Sequence, residues 1–509
     1  MPFRSILFRD GSRPEDGPEP AYFRDLNLDR IADSIAAREG EFDVKPFFRT
    51  VLPAKEDVLY RQEAIQDLER ERTMRAVRDF CGRMSAMRAQ LGQREKLHFD
   101  LQRSRWLLHA VETYCSALRD FRAALVAAPV ESRAFGGLRE FLDGYVESAG
   151  FGRLRAQSEQ LASDLASIRY CLFIGGDYVS VRPYGQQPDY SLQLAATFER
   201  FRRDSPRDYR SRFDDRPYMN HVEEHILGFV ADVNPEVFEA LRTFSAGNEG
   251  FPDEVILRFD EEVRFYLAYL DHVASLKQGA GLTFCYPELS ETDKRVEARE
   301  TFDLALAREL AVQELPVVCN SFALVGSERI FVVSGPNQGG KTTFARTFGQ
   351  LHHLARIGVP VPGTSARLFL FDEMFTHFER EESIATLRGK LQDDLVRIHD
   401  ILGRATGRSI IIINEIFSST TLEDATFLAS KILDRLIRLD ALCVCVTFLV
   451  GITRLGDGIV SLVSEVLAES PDVRTFKVIR ATARGQSYAR SIAEKYRLTY
   501  EQLRSRLRR

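Results

Sequence analysis

Tryptophan, cysteine and uninterrupted apolar runs are all scarce in this sequence, and each scarcity narrows what it encodes. There is one tryptophan and there are seven cysteines in 509 residues. Cys81, Cys115, Cys171, Cys285, Cys319, Cys443 and Cys445 are scattered, odd in number and form no C-x-x-C pair. That argues against a disulfide framework or a zinc site and for a reducing compartment. Cys443 and Cys445 alternate with Leu442, Val444 and Val446 and read most simply as core residues of a strand. No charge-free apolar run of roughly 18 residues appears, and the N-terminus, MPFRSILFRDGSRPEDGPEP, has no uninterrupted apolar core, so the expectation is a soluble, cytoplasmic protein without a membrane span. Excess positive charge is missing too. Lys and Arg total 69 against 74 Asp and Glu, a net charge of −5, so any contact with nucleic acid has to come from a local patch. What remains is ordinary globular material, 44% hydrophobic and 28% charged, long enough for about two to four domains.

Proline is absent between Pro53 and Pro129, where Leu, Ala, Arg and Glu dominate and apolar residues recur at three- and four-residue spacing, the pattern of long helices. Residues 168–182, IRYCLFIGGDYVSVR, break that period. Two alternating runs flank Gly175, Gly176 and Asp177, the turn chemistry of a β-hairpin. Residues 200–217, RFRRDSPRDYRSRFDDRP, interleave Arg202, Arg203, Arg207, Arg210 and Arg212 with Phe201, Tyr209 and Phe213. This stretch reads either as a solvated loop, since aspartates dilute its charge, or as a candidate DNA contact. Helical patterning resumes to about residue 300. After Pro316 short apolar runs alternate with amphipathic helices: IFVVS, TTFARTFGQLHHLARI, RLFLF, a helix near 390–404, IIII, a helix near 422–439, and LCVCVTF. That alternation predicts a parallel sheet covered by helices. The expected organisation is a mainly helical region over 1–300 with a small β insertion, an α/β domain over 301–480 and a C-terminal segment over 481–509.

Residues 335–342, GPNQGGKT, satisfy G-x-x-x-x-G-K-[ST] between a strand and a helix, which predicts a P-loop NTPase. Backbone N–H groups of such a turn point at phosphates, Lys341 brings a positive charge to them and the Thr342 hydroxyl can ligate Mg²⁺. The expected nucleotide-binding residues are Gly335, Pro336, Asn337, Gln338, Gly339, Gly340, Lys341, Thr342 and Thr343. No N-K-x-D guanine reader occurs, so ATP is expected rather than GTP. Two segments compete to complete the site. RLFLFDEMFT places Asp372 and Glu373 about thirty residues past Lys341, and IIIINEIF places Asn414 and Glu415 about seventy past it. By pattern the first is the better acidic motif, and either pair can be given the tasks of holding the metal's water shell and orienting a water.

Taken in order, these motifs resemble the ATPase domain of the MutS family of DNA mismatch repair proteins. GPNQGGKTT resembles that family's G-P-N-M-G-G-K-S-T, IGVPVPG its I-G-x-x-V-P-A, FDEMFT its I-D-x-I-F-T, and INEIFSSTTLEDA its D-E-I-x-x-G-T-S-x-x-D-G. GQSYARSIAEKYRLTYEQL is similar to its C-terminal K-S-Y-G-I segment, a helix-turn-helix that joins subunits, and VKPFFRTVLPAKEDVLYRQEAIQDL is more loosely similar to the stretch that opens the family's core domain. The resemblance implies that Asn414 and Glu415 are the Walker B pair, with Glu415 and Asn414 catalytic and with Thr342 and, through water, Asn414 on Mg²⁺. It also implies that Ser418, Ser419, Thr420 and Thr421 face a partner subunit in a homodimer. The sequence departs from the family at four places. The Walker B aspartate is Asn414, the histidine of the family's T-H is Phe448, Gly389 or a neighbour stands at the serine of its S-T-F, and no counterpart of the mismatch-reading wedge domain is seen. The expectation is therefore an ATP-binding, weakly hydrolysing protein that acts on a DNA structure in repair or recombination. The alternative is a nucleotide-gated scaffold that binds proteins and not DNA.

Overall fold

The computed structural model describes residues 3–13, 17–176, 178–185, 219–379, 389–454, 456–467 and 470–482, with isolated positions 193, 197, 500 and 504. The fold described is that of these residues. The arginine-rich stretch 200–217 and nearly all of 481–509 lie outside them. Two compact units are present: one takes in Met1–Phe3, Asp67–Glu131 and Phe135–Asp260, the other Arg4–Gln66, Ser132–Ala134 and Glu261–Arg509. This division differs from the boundary expected near residue 300, because residues 4–66 and 261–300 cluster with the sheet-bearing part of the chain.

The first unit is helical. Helices α1 (Glu71–Lys96) and α2 (Asp100–Ala127) are long because no proline interrupts them. Their apolar residues fall on one stripe: Ala76, Val77, Phe80, Cys81, Met84 and Met87 of α1 are buried. Phe80 stacks on Phe121 of α2 with centroids 4.5 Å apart. Helix α3 (Ala149–Ser167) begins at Ser148, whose side chain accepts the Phe151 N–H. A hairpin follows, pairing β1 (Tyr170–Ile174) with β2 (Val179–Pro183) antiparallel. Helix α4 (His221–Val233) opens with a capping box. Asn220 accepts from the Val222 and Glu223 N–H groups while the Glu223 carboxylate accepts from the Asn220 N–H. Pro235 then starts α5 (Pro235–Gly247), where its missing N–H costs nothing.

The second unit is built on a six-stranded sheet. In chain order its elements are β3 (Ile330–Ser334), α6 (Lys341–Arg356), β4 (Met374–Phe378), α7 (Lys390–Arg404), β5 (Ile410–Asn414), α8 (Leu422–Leu439), β6 (Leu442–Val446), β7 (Ile459–Leu467) and β8 (Ser470–Arg480). The spatial order is β4-β5-β6-β3-β7-β8, parallel from β4 to β7 and antiparallel only between β7 and β8. All residues of β3 and β6 are buried, as expected for parallel strands covered on both faces. On one face Ile411, Ile413, Cys443 and Cys445 pack with Ala429, Leu433 and Leu436 of α8 and Ile398 of α7. Burial pushes the Cys445 thiol up to about 12. Elsewhere in this unit Phe331 meets Phe344 and Phe348 of α6 at centroid distances of 5.8 and 6.1 Å. Helix α6 is buried almost all round, polar residues included. His353 hydrogen-bonds the Phe48 carbonyl and the Tyr22 hydroxyl, and Gln350 accepts the Leu304 N–H while donating to Asp303 and to the Leu26 carbonyl.

A smaller four-stranded sheet joins Glu288–Ser290, Ser365–Phe369, Val296–Thr301 and Asn320–Leu324. The run RLFLF thus enters this second sheet, and the strand that enters the main one is the following MFTHF.

Candidate functional site

The turn between β3 and α6 has a shape that few sequences permit. Gly335, Gln338 and Gly340 have φ of 129°, 60° and 90°, and Gly340 caps α6. At Gly339 the constraint is space. A Cβ there would lie 2.2 Å from the Ser464 Oγ, and that hydroxyl donates to the Gly339 carbonyl at 2.6 Å. Lys341, 6% exposed, donates to the carbonyls of Gly335 and Pro336, both at 3.0 Å, and to Asn337 Oδ1 at 3.4 Å. Burial lowers its pKa; the Glu415 carboxylate opposes that and Arg474 adds to it. The first N–H groups of α6 have no intrahelical acceptor, so the turn offers donors and a cation together.

The parallel register brings the second half to the same edge of the sheet. Asn414 ends β5, level with Phe378 of β4 and Val446 of β6. Val446 is in turn level with Val333, one residue before the end of β3. There the Thr342 Oγ1 donates to the Asn414 Oδ1 at 3.0 Å. Glu415 follows with φ 57°, its N–H bonded to the Val446 carbonyl at 2.9 Å, and Phe417 has φ 60°. Left-handed backbone is uncommon for such side chains and costs on the order of 1–3 kcal/mol where it persists.

Asp372 and Glu373 lie at the opposite edge. The Ile410 N–H, at the start of β5, donates to the Glu373 carbonyl at 3.0 Å. Asp372 accepts from the Ser409 hydroxyl at 3.0 Å and from Thr406, and Glu373 pairs with Arg404. Four strand steps, about 13 Å, separate Ile410 from Asn414. The structure therefore brings Asn414, and not Asp372, to Thr342.

Ser418, Ser419 and Thr421 are exposed and Thr420 half-buried. Ser418 donates to Glu379, and Thr421 caps α8 by accepting the Asp424 N–H. Gly389 is the residue before α7. Phe448, just past β6, is 49% exposed and has no hydrogen-bonding group on its ring. Thr343 is half-buried in the first turn of α6. Arg202, Arg203, Arg207, Arg210 and Arg212 lie outside the described residues. Ser464 on β7 and Arg474 on β8, whose Nε donates to the Asn337 carbonyl at 3.3 Å, had no motif to announce them. The one available signal was a polar residue inside the apolar run IVSLVSEVL.

These features define a mixed α/β domain whose largely parallel sheet presents a glycine-rich turn, a helix N-terminus and a hydroxyl–amide pair at one edge. Residues 331–502 match the family model described as MutS domain V. It is 30% identical over 184 residues to the DNA mismatch repair protein MutS of Zymomonas mobilis, covering 35% of this chain and 21% of that protein. To the DNA mismatch repair protein MutS of Desulfovibrio desulfuricans it is 34% identical over 173 residues, covering 34% and 18%. To the Endonuclease MutS2 of Gemmatimonas aurantiaca it is 31% identical over 188 residues, covering 36% and 22%. The chain thus spans about a fifth of the length of these curated relatives. Among the described residues no helix is long and apolar enough to cross a membrane.

Proposed function

We propose that the chain binds ATP with Mg²⁺ through residues 335–343 of a P-loop and hydrolyses it slowly. The observation that carries this is the 3.0 Å contact of Thr342 with Asn414 beside a buried Lys341. The donor set fits the ligand: main-chain N–H groups and Lys341 suit a polyphosphate, and a threonine hydroxyl beside an amide oxygen suits a hydrated hard cation. When bound, Mg²⁺ neutralises part of the phosphate charge. Lys341 leaves its loop carbonyls for phosphate oxygens. Glu415, held past the end of β5, orients the attacking water and takes its proton as the γ-phosphate leaves ADP. Asn414 keeps an oxygen acceptor for Thr342 but brings no negative charge, and Phe448 has no group to offer the phosphate, so binding is retained better than turnover.

The wider reading is a homodimer, with Ser418–Thr421 facing the partner's nucleotide and residues 481–509 joining the subunits, that acts on DNA in repair or recombination. The names of the relatives support the DNA setting, and Arg202, Arg203, Arg207, Arg210 and Arg212 are the candidate contact. Steady-state phosphate release from purified protein tests the core of the proposal. Wild type should turn over and Lys341→Ala should not; equal rates in the two would refute it. Titration with duplex, branched and single-stranded DNA at several salt concentrations tests the rest. A steep salt dependence is expected from phosphate contacts, whereas no binding at low salt would favour a protein-binding scaffold.

A further inference from the structure

We infer that Arg474, on β8, is a second phosphate-binding cation of this site, reaching the nucleotide across the glycine-rich turn. The inference rests on the nucleotide-binding reading and adds a residue to it that belongs to no motif in the chain.

Its first basis is placement. The Arg474 Nε donates to the carbonyl of Asn337, inside the turn, at 3.3 Å. The surrounding hairpin is fixed against the same turn at two further points. Ser464 of β7 donates to the Gly339 carbonyl at 2.6 Å, and the backbone of Phe476 lies 3.5–3.7 Å from where a Gly340 Cβ would stand. Phe476 has φ 59°. Asn320 holds that backbone from behind, donating to the Phe476 carbonyl at 3.1 Å and accepting the Val478 N–H at 2.7 Å. The guanidinium is therefore carried on a braced strand and not on a loose tail.

The second basis is charge. Arg474 and Lys341 are like charges close enough for the arginine to disfavour the protonated lysine. The Glu415 carboxylate opposes that effect at Lys341, and a polyanion lying between the two cations is attracted by both. A guanidinium suits that position because its planar fork can hold a loop carbonyl on one side and phosphate oxygens on the other.

The test is ATP and ADP affinity, by calorimetry at two ionic strengths, for wild type, Arg474→Gln, Arg474→Lys, Ser464→Ala and Lys341→Ala, with circular dichroism to verify folding. Arg474→Gln should weaken both nucleotides roughly tenfold or more and flatten the salt dependence of binding. Arg474→Lys should recover part of the loss. Ser464→Ala removes a brace and no charge, so it should weaken binding while leaving the salt dependence as in wild type. Unchanged affinity in Arg474→Gln, or a loss with unaltered salt dependence, overturns the assignment while Lys341→Ala still shows the nucleotide site to be real. A wild-type protein that binds neither nucleotide overturns the underlying reading instead.

Discussion

The contact between the glycine-rich turn and β7 can be broken and mended by a pair of substitutions. In Gly339→Ala the new methyl falls 2.2 Å from the Ser464 Oγ and 3.1 Å from both the Ser464 Cβ and the Pro336 carbonyl oxygen. Something must move, and the Ser464 side chain, 1% exposed, has no empty space to enter. Overpacking a buried site costs about 1–3 kcal/mol, and losing the 2.6 Å bond to the Gly339 carbonyl adds about 1–3 kcal/mol if that carbonyl stays dry. The single variant is thus expected to be destabilised by roughly 2–6 kcal/mol. Ser464→Gly removes both clashing Ser464 atoms and forfeits only the hydrogen bond plus about 1 kcal/mol of backbone freedom. The double variant should be more stable than Gly339→Ala alone by up to about 2 kcal/mol, the overlap term less the backbone freedom that the new glycine adds. Urea denaturation of the four proteins measures this, and affinity for a fluorescent ATP analogue should recover in parallel. Strict additivity of the two single effects would show that Gly339 and Ser464 do not meet, and the account of the turn would fall.

Glu415→Gln should bind ATP within about threefold of wild type and lose turnover by about a hundredfold or more; comparable loss in both measurements would remove it from catalysis. Asn414→Asp should raise turnover, and an unchanged rate would mean that the amide is not the brake. Acid should destabilise the second unit before most carboxylates titrate. Burial lowers His352 and His353 to about 4 and His272 to about 3, below an unfolded value near 6.5, so the stability they contribute is complete above about pH 6.5 and lost on going down toward pH 4. The expected slope in that window is about 1 kcal/mol per pH unit for each histidine, and urea midpoints that are flat from pH 7 to 5 would contradict it. Asn220→Ala removes the capping box of α4 and should cost the first unit about 1 kcal/mol; a neutral result would show that the cap is not contributing.

Much of the α/β half follows from short-range rules. Ile330–Ser334, Ile410–Asn414 and Leu442–Val446 are continuous apolar runs with no face to spare for water, and each is a buried parallel strand. The helices between them carry their own boundaries, such as Thr421 before α8 and Gly340 before α6. The antiparallel β8, with its long irregular pairing to β7, lacks such a signature: SPDVRTFKVIR alternates weakly and carries two of its cations, Arg474 and Lys477, toward other segments. Ser464 and Arg474 belong to that hairpin, which is why neither could be singled out from residue types and spacing. The smaller sheet was equally hidden, since the alternation in VEARET is confined to Val296 and Ala298, too short a run to mark a strand.

Sheet membership also explains why Asp372 looked like the better acid. A carboxylate at the end of an apolar run is at the carboxyl edge of whatever sheet that run enters, and in parallel α/β sheets that edge is where ligands bind. RLFLF enters the smaller sheet, so Asp372 follows a strand of the wrong one. In the main sheet it precedes β4, at the amino edge, where it ties down Thr406 and Ser409 before β5 begins. The run IIIIN, weaker as an acidic motif, ends at the carboxyl edge of the main sheet beside Thr342. The strength of a motif is a property of its own residues, but its relevance depends on which sheet its strand joins, and that is decided by pairing partners distant in the chain, such as Glu288 for Arg367 and Ile330 for Cys443.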